Sequence, residues 1–240
     1  ILNKTEELQR IIAGRDKLYS VIAHDLRSPM GSIKMVLNML MLNLPVEKIG
    51  GEMYELLTMA NRTTEDVFSL LDNLLKWTKS QIGNLNVVYQ DVDAVEVVDS
   101  VIDVFNMVAG LKKITIREEK PEKLPVCTDI DMLKTIIRNL LSNAIKFSNE
   151  NSEVLVKMEE QGDTVVVSVK DSGCGIDEEG QQKLLHTDTH FSTFGTNNEE
   201  GSGLGLLLCQ DFAVKSGGKL WFTSKKGEGS TFYFSIPLKK

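Results

Sequence analysis

Between Leu8 and Trp77 apolar residues return at intervals of three, four or seven, a period that only an amphipathic helix satisfies over such a length. Leu8, Ile11, Leu18, Ile22, Leu26, Ile33, Leu37, Leu40 and Leu44 form one stripe. Met53, Leu57, Ala60, Val67, Leu71, Leu74 and Trp77 form a second. Between them "NLPVEK" places a turn around Pro45. Two helices of about 35 to 40 residues each would reach roughly 50 to 60 Å. Joined by so short a turn, they run antiparallel. One such hairpin has little core, so the stripe predicts pairing with a second copy in a dimeric four-helix bundle; the alternative is a hairpin packed on its own second domain.

After "KSQIGNLN" the pattern changes. Strand-like pieces at Leu85–Gln90, Ile114–Glu118, Val154–Glu159, Thr164–Lys170, Lys219–Ser224 and Thr231–Ile236 alternate with helical ones near Ala94–Ala109, Asp131–Phe147 and Leu204–Ser216. The fold class expected is therefore multidomain: an antiparallel helical hairpin over 1–82, then a two-layer α/β sandwich over 83–240 with helices on one face of one sheet. Asp177–Gly201 is polar, with a short helix at most, and reads as a lid or binding loop.

Composition excludes several classes. A net charge of −7 argues against a nucleic-acid surface, which needs clustered Lys and Arg. Three distant cysteines (Cys127, Cys174, Cys209) cannot close a disulfide framework and fit a reducing, cytoplasmic setting. No run of about 18 apolar residues is present, so this piece is not expected to touch or cross a membrane. Beginning at Ile1, already in helical register, the chain reads as part of something longer.

In "SVIAHDLRSPM", His24 falls roughly 200° from Ile22 and Leu26 at 100° per residue, opposite the packing stripe. Asp25 follows it directly, Ser28 shares its side, and Pro29 removes a helix hydrogen bond one turn back near Asp25. A lone exposed histidine is ordinarily just solvated. Downstream, "DMLKTIIRNLLSNAIKF" puts Asn139, Asn143 and Lys146 on one polar strip opposite Leu133, Ile137 and Leu141. Two carboxamides and an ammonium suit a Mg²⁺-bound polyphosphate, although a polar strip is equally what a wet helix face shows. In "VKDSGCGI", Asp171 can accept from an exocyclic amine, while Gly173 and Gly175 allow a flat ring close to backbone or simply a tight turn. "GSGLGL" carries Gly203, Leu204 and Gly205 into a helix N-terminus, a setting that favours phosphate. "GEGSTF" enters the last strand with Thr231.

Taken in order, "HDLRSP", "NLLSNAIKF", "DSGCGI", "GSGLGL" and "GEGSTF" make the chain resemble the sensor histidine kinases of two-component systems along its whole length. The resemblance implies a dimerisation and phosphoacceptor hairpin followed by a Bergerat-type ATP-binding domain. ATP and Mg²⁺ would be its cofactors, and a homodimer and a response-regulator receiver domain its partners. It implies His24 as phosphoacceptor, Asp25 as the base on the other imidazole nitrogen, and Pro29 as the bend beside them. Asn143 would hold Mg²⁺ with Asn139 in support, Lys146 would touch phosphate, and Phe147 would pack at the base edge. Asp171 would read the adenine amine between Gly173 and Gly175. Gly203, Leu204 and Gly205 would close over the phosphates, with Thr231 supporting the pocket. The piece would be the cytoplasmic catalytic portion of a membrane sensor.

Some positions depart from the family pattern. Ser28 stands where relatives with phosphatase activity toward the regulator often carry Thr or Asn; its hydroxyl could still position water. "THFSTFGT" replaces a Phe-x-Pro-Phe pattern and leaves Phe191 and Phe194 unassigned. His186 and His190 have a zinc-compatible spacing but lack a third ligand. Two other classes compete: a chaperone- or topoisomerase-type ATPase, and a dead scaffold. The first needs a glutamate one turn before the metal-binding Asn, where this chain has Asn139, which cannot act as a general base. The second conflicts with key positions that are all filled.

Overall fold

Residues 25–43 form one helix, α1, and Gly51–Gln81 a second, α2, in a computed structural model that describes residues 22, 25–43, 50–81, 87–184, 195–196 and 203–238. The turn around Pro45 lies outside the described residues. Leu71 and Leu75 of α2 are buried, and Met30, Val67 and Leu74 pack against them. Asp72 pairs with Arg27 across the hairpin and with Lys76 at 3.0 Å. Lys34 reaches Glu65 at 3.3 Å and lies over the Phe68 ring. As α1 advances from 27 to 34, its partner in α2 falls back from 72 to 65, so the helices are antiparallel. These half-exposed ion pairs fix register more than they stabilise, each contributing about 0–1 kcal/mol. The small buried cluster does the holding. Much apolar surface stays outside it: Leu26, Ile33, Met35, Val36, Met39 and Leu42 of α1 are exposed, as are Met53, Leu56 and Met59 of α2.

The chain divides into two compact units, Ile1–Asn86 and Val87–Lys240. In the second, Gln90–Asp93 (β1), Ala94–Leu111 (α3), Thr115–Glu119 (β2), Pro125–Thr128 (β3) and Ile130–Phe147 (α4) come first. Glu153–Gln161 (β4), Thr164–Lys170 (β5), Glu178–Lys183 (α5), Gly205–Lys215 (α6), Leu220–Lys225 (β6) and Gly229–Pro237 (β7) follow. The main sheet has five strands in the order β2-β4-β5-β7-β6, with β2 parallel to β4 and the other pairs antiparallel. Alternate residues of its strands are buried: Val154, Val156 and Met158, then Val165, Val167 and Val169, then Phe232, Phe234 and Ile236. That period of two puts one face under the helices. Leu133, Ile136, Ile137, Leu140 and Leu141 of α4 and Leu208 and Phe212 of α6 complete the core.

Two sequence expectations need correction. A single sheet was expected, yet β1 pairs with β3 in a separate two-stranded sheet, Gln90 opposite Thr128 and Asp93 opposite Pro125. Of the strand expected at Leu85–Gln90, residues 87–89 are not strand and Gln90 opens β1, while 85 and 86 lie outside the described residues. Two aspartates set that boundary. Asp93 caps α3, its Oδ1 accepting from the amides of Val95 and Leu124, both at 3.0 Å. Asp129 caps α4 with Oδ1 and takes the Val88 amide on Oδ2 at 2.9 Å, anchoring the chain before the strand starts. Among the described residues of the polar segment after Asp177 lies the short helix α5, whose Asp177 cap accepts from Gly180 at 2.9 Å.

Candidate nucleotide-binding site

Four of the five sequence motifs meet in the second unit. Helix α4 supplies the centre. Its apolar face is buried, which leaves Asn139, Asn143, Lys146 and Phe147 half-buried along the other side. Asn139 donates to the Thr135 carbonyl at 2.9 Å, fixing its carboxamide, while its Oδ1 faces the start of α6: a Cβ added to Gly205 would lie 2.6 Å from it. A glycine at 205 is therefore what lets the α6 N-terminus come this close to α4. Gly203 adopts a φ of +67°, and Leu204 at the N-cap offers no side-chain acceptor. The Lys146 ammonium sits 4.8 Å from the centre of the Phe147 ring, a cation–π pair at the end of α4.

Asp171 directly follows β5 and is almost wholly buried, at 4% exposure. Its carboxylate takes two backbone amides, Gly173 at 2.9 Å and Ser230 at 3.2 Å, and both land on Oδ1. Burial pushes its pKa above the ordinary aspartate value, and the two amides oppose that shift without cancelling it. Gly173 is wedged: an added Cβ would lie 2.0 Å from the Phe147 carbonyl and 3.0 Å from Asp171 Oδ1. The Cys174 amide donates to the same Phe147 carbonyl at 3.3 Å. "DSGCGI" is thus locked onto the end of α4.

The last motif locks it from the other side. The Asp171 amide donates to the Ser230 carbonyl at 2.9 Å and the Gly227 amide to the Cys174 carbonyl at 2.7 Å. Ser224 Oγ accepts from Ile176 at 2.8 Å, and Gln181 Nε2 bridges the carbonyls of Ile176 and Ser224. Thr231 is half-buried on β7, opposite Lys170 on one side and Thr223 on the other. The arrangement gives a buried carboxylate with its backbone donors confined to one oxygen, flanked by glycine-thin backbone, an ammonium and a glycine-opened helix start. Chemically it suits a purine carrying an exocyclic amine and a phosphate chain.

The first motif is described only in part. His24 lies outside the described residues, as do His186, His190, Phe191 and Phe194. Asp25 and Ser28 are exposed on α1, which continues as helix through Pro29, and the Ser28 carbonyl accepts from the Ser32 hydroxyl at 3.2 Å. Reading motifs missed Ser224 and Ser230, though Ser230 stands inside "GEGSTF". Also missed were Lys112, which no motif contains, and Thr196, the last residue of "THFSTFGT".

Residues 128–240 match the family described as "Histidine kinase-, DNA gyrase B-, and HSP90-like ATPase". Adaptive-response sensory kinase SasA of Crocosphaera subtropica is 29% identical over 97% of this chain and 62% of its own length. Sensor protein KdpD of Clostridium acetobutylicum is 33% identical over 99% of this chain and 27% of its own length. The chain thus spans less than two thirds of these relatives. The catalytic domain of histidine kinase ThkA superposes with a TM-score of 0.55 at 29% identity, covering 63% of this chain and 96% of that domain. Full-length ShkA in complex with AMPPNP shares the fold, with a TM-score of 0.71 at 21% identity over 93% of this chain and 46% of its own.

Proposed function

We propose that this chain, whose residues 128–240 match the family described as "Histidine kinase-, DNA gyrase B-, and HSP90-like ATPase", is the catalytic portion of a sensor kinase that phosphorylates itself on His24 and passes the phosphoryl group to an aspartate of a response regulator. The observation that carries this reading is the Asp171 carboxylate, buried, with both backbone donors on Oδ1. Oδ2 is then the acceptor for the adenine amine. Gly173 and Gly175 let the segment after Asp171 pack against the carbonyls of Phe147 and Lys225 and so shape the wall of the pocket. Phe147 packs at the edge of the ring, and Lys146 supplies positive charge to the phosphates. Gly203, Leu204 and Gly205 present the α6 N-terminus to the same chain of phosphates. Thr231 supports the pocket from β7.

Among the described residues no group of three or more His, Cys, Asp or Glu side chains could hold a metal ion. Mg²⁺ fits such a site, since it keeps several waters and needs only one or two protein oxygens beside those of the phosphates. Asn143 would give that oxygen, supported by Asn139. Bound there, Mg²⁺ would neutralise charge on the phosphates. The hairpin's part is to offer the nucleophile: an imidazole nitrogen of His24 forms a bond to the γ-phosphorus as the bond to the ADP oxygen breaks. Asp25 takes the proton from the other nitrogen. Ser28, exposed one turn on, positions water for the reverse dephosphorylation of the regulator.

The exposed apolar surface of α1 and α2 is the basis for a homodimer through residues 1–82, with 83–240 as the catalytic domain. No helix among the described residues is long and apolar enough to cross a membrane, and a cytoplasmic placement beneath a membrane sensor belongs to the same reading. Incubation with labelled ATP and Mg²⁺ tests it. The wild type should gain phosphate that is lost in acid and survives base, and His24→Gln should gain none while binding ATP unchanged. Labelling of His24→Gln at the wild-type rate would remove His24 as acceptor.

A further inference from the structure

Lys112 is a lysine that the fold buries, at 8% exposure. It follows α3, where a turn folds back at once: Lys112 and Lys113 donate to the carbonyls of Ala109 and Gly110, and Lys113 takes a φ of +54°. The turn sends the Lys112 side chain toward a different helix. Its ammonium donates to the carbonyls of Ile145 at 3.0 Å and Lys146 at 2.9 Å, and to the Thr196 hydroxyl at 2.8 Å, with the Ser148 carbonyl at 3.5 Å. Ile145 and Lys146 are in the last turn of α4, whose carbonyls have no intrahelical donor and carry the negative end of the helix dipole. Thr196 closes the cluster, its amide donating to Lys146 at 3.1 Å and its hydroxyl lying 2.8 Å from the Ser148 carbonyl. One ammonium therefore holds the backbone of the turn from which Lys146 and Phe147 project, and ties Thr196 to it.

We propose that Lys112 is a positioning residue for nucleotide binding, fixing the last turn of α4 so that Lys146 meets the phosphates, with Thr196 as its partner. The inference rests on the reading of this pocket as an ATP site. An ammonium serves here because three protons on a compact head can reach three oxygens at once. Methionine matches its apolar stem but ends one atom short and donates nothing.

The test uses the whole 240-residue chain and two probes, ATP and adenosine, in titration calorimetry. Loss of donors to the helix end should raise the ATP dissociation constant of Lys112→Met about tenfold, the size expected for hydrogen bonds from a charged group. Adenosine, which has no phosphates, should bind within about threefold of wild type, being held on the Asp171 side. A variant that was merely part-unfolded would lose the same factor for both ligands, because the competent fraction multiplies each affinity alike. The ATP-to-adenosine ratio therefore reports positioning. Thr196→Val should lower that ratio severalfold, and the double variant should be no worse than Lys112→Met alone, since both act through one cluster. An unchanged ratio in folded Lys112→Met overturns the proposal. If that variant does not fold, an unchanged ratio in Thr196→Val, at an exposed position, overturns it instead. Asp171→Asn is the control: should it leave ATP binding intact, the pocket reading itself falls, whereas a loss there alone removes only the role of Lys112.

Discussion

Replacing Asp171 by Asn removes one charge from a site whose geometry says which oxygen matters. Both backbone amides bond to Oδ1, at 2.9 and 3.2 Å, and an amide oxygen placed there can keep both. The substituted side chain then turns its NH₂ toward the ligand, where an adenine amine also donates. A charge-assisted hydrogen bond contributes about 1.5–3 kcal/mol, so ATP affinity should drop roughly tenfold to 150-fold. Inosine triphosphate, with an oxo group in place of the amine, should lose little and could accept from the new NH₂. The preference for ATP therefore collapses without a general loss of binding. Acidity gives a second signature. Burial raises the Asp171 pKa above the ordinary aspartate value, and in the proposed role the carboxylate is the form that would accept from the amine. Wild-type affinity should thus fall on acidification earlier than an exposed aspartate would dictate, and the Asn variant should lack that limb. The sign for folding is opposite. A raised folded-state pKa contributes stability below the unfolded value and loses it as pH rises through the folded one, so ionised Asp171 weighs against the fold at neutral pH. The nucleotide-free Asn variant should melt no lower than wild type. Calorimetric titration with both nucleotides across pH checks all of this. Equal losses for ATP and inosine triphosphate, or none for either, would refute the reasoning.

Gly173→Ala should abolish nucleotide binding and lower the melting temperature. Its Cβ would lie 2.0 Å from the Phe147 carbonyl, and relieving such overlap typically costs about 1–3 kcal/mol; wild-type calorimetry from this variant would mean that the two segments can part freely. Ile33→Asp should turn a dimer into a monomer in light scattering at micromolar concentration. Ile33 is half-exposed on the hairpin, so the charge is tolerated by one copy but not across an apolar interface; a variant that stays dimeric at that concentration places the interface elsewhere.

Signals that lived within one turn or one period could be read from the residues. The polar strip of Asn139, Asn143 and Lys146 needed only the 3.6-residue repeat, and the burial of Leu133, Ile137 and Leu141 behind it is what that repeat predicts. Gly173 and Gly205 were visible as residues that permit close approach, but not what approaches them: the Phe147 carbonyl and the Asn139 carboxamide. Strand β3 escaped because four residues starting at Pro125 carry no alternation long enough to count, and its partner β1 precedes it by a whole helix. Pairing at that distance also moved the β1 boundary, since Asp93 and Asp129 fix it through amides from other segments.

Lys112 shows the limit most plainly. A lysine just past a helix end is ordinarily taken to serve the dipole of its own helix, here α3. The tight turn at Lys113 redirects it to α4, and its contact with Thr196 joins residues 84 positions apart. Local chemistry chose the right residue type, a cation for a helix C-terminus. Only the packing of α3 beside α4 decided which helix receives it. A buried ammonium at that point bonds the backbone turn that carries Lys146 and Phe147, through a side chain that no quoted motif contains.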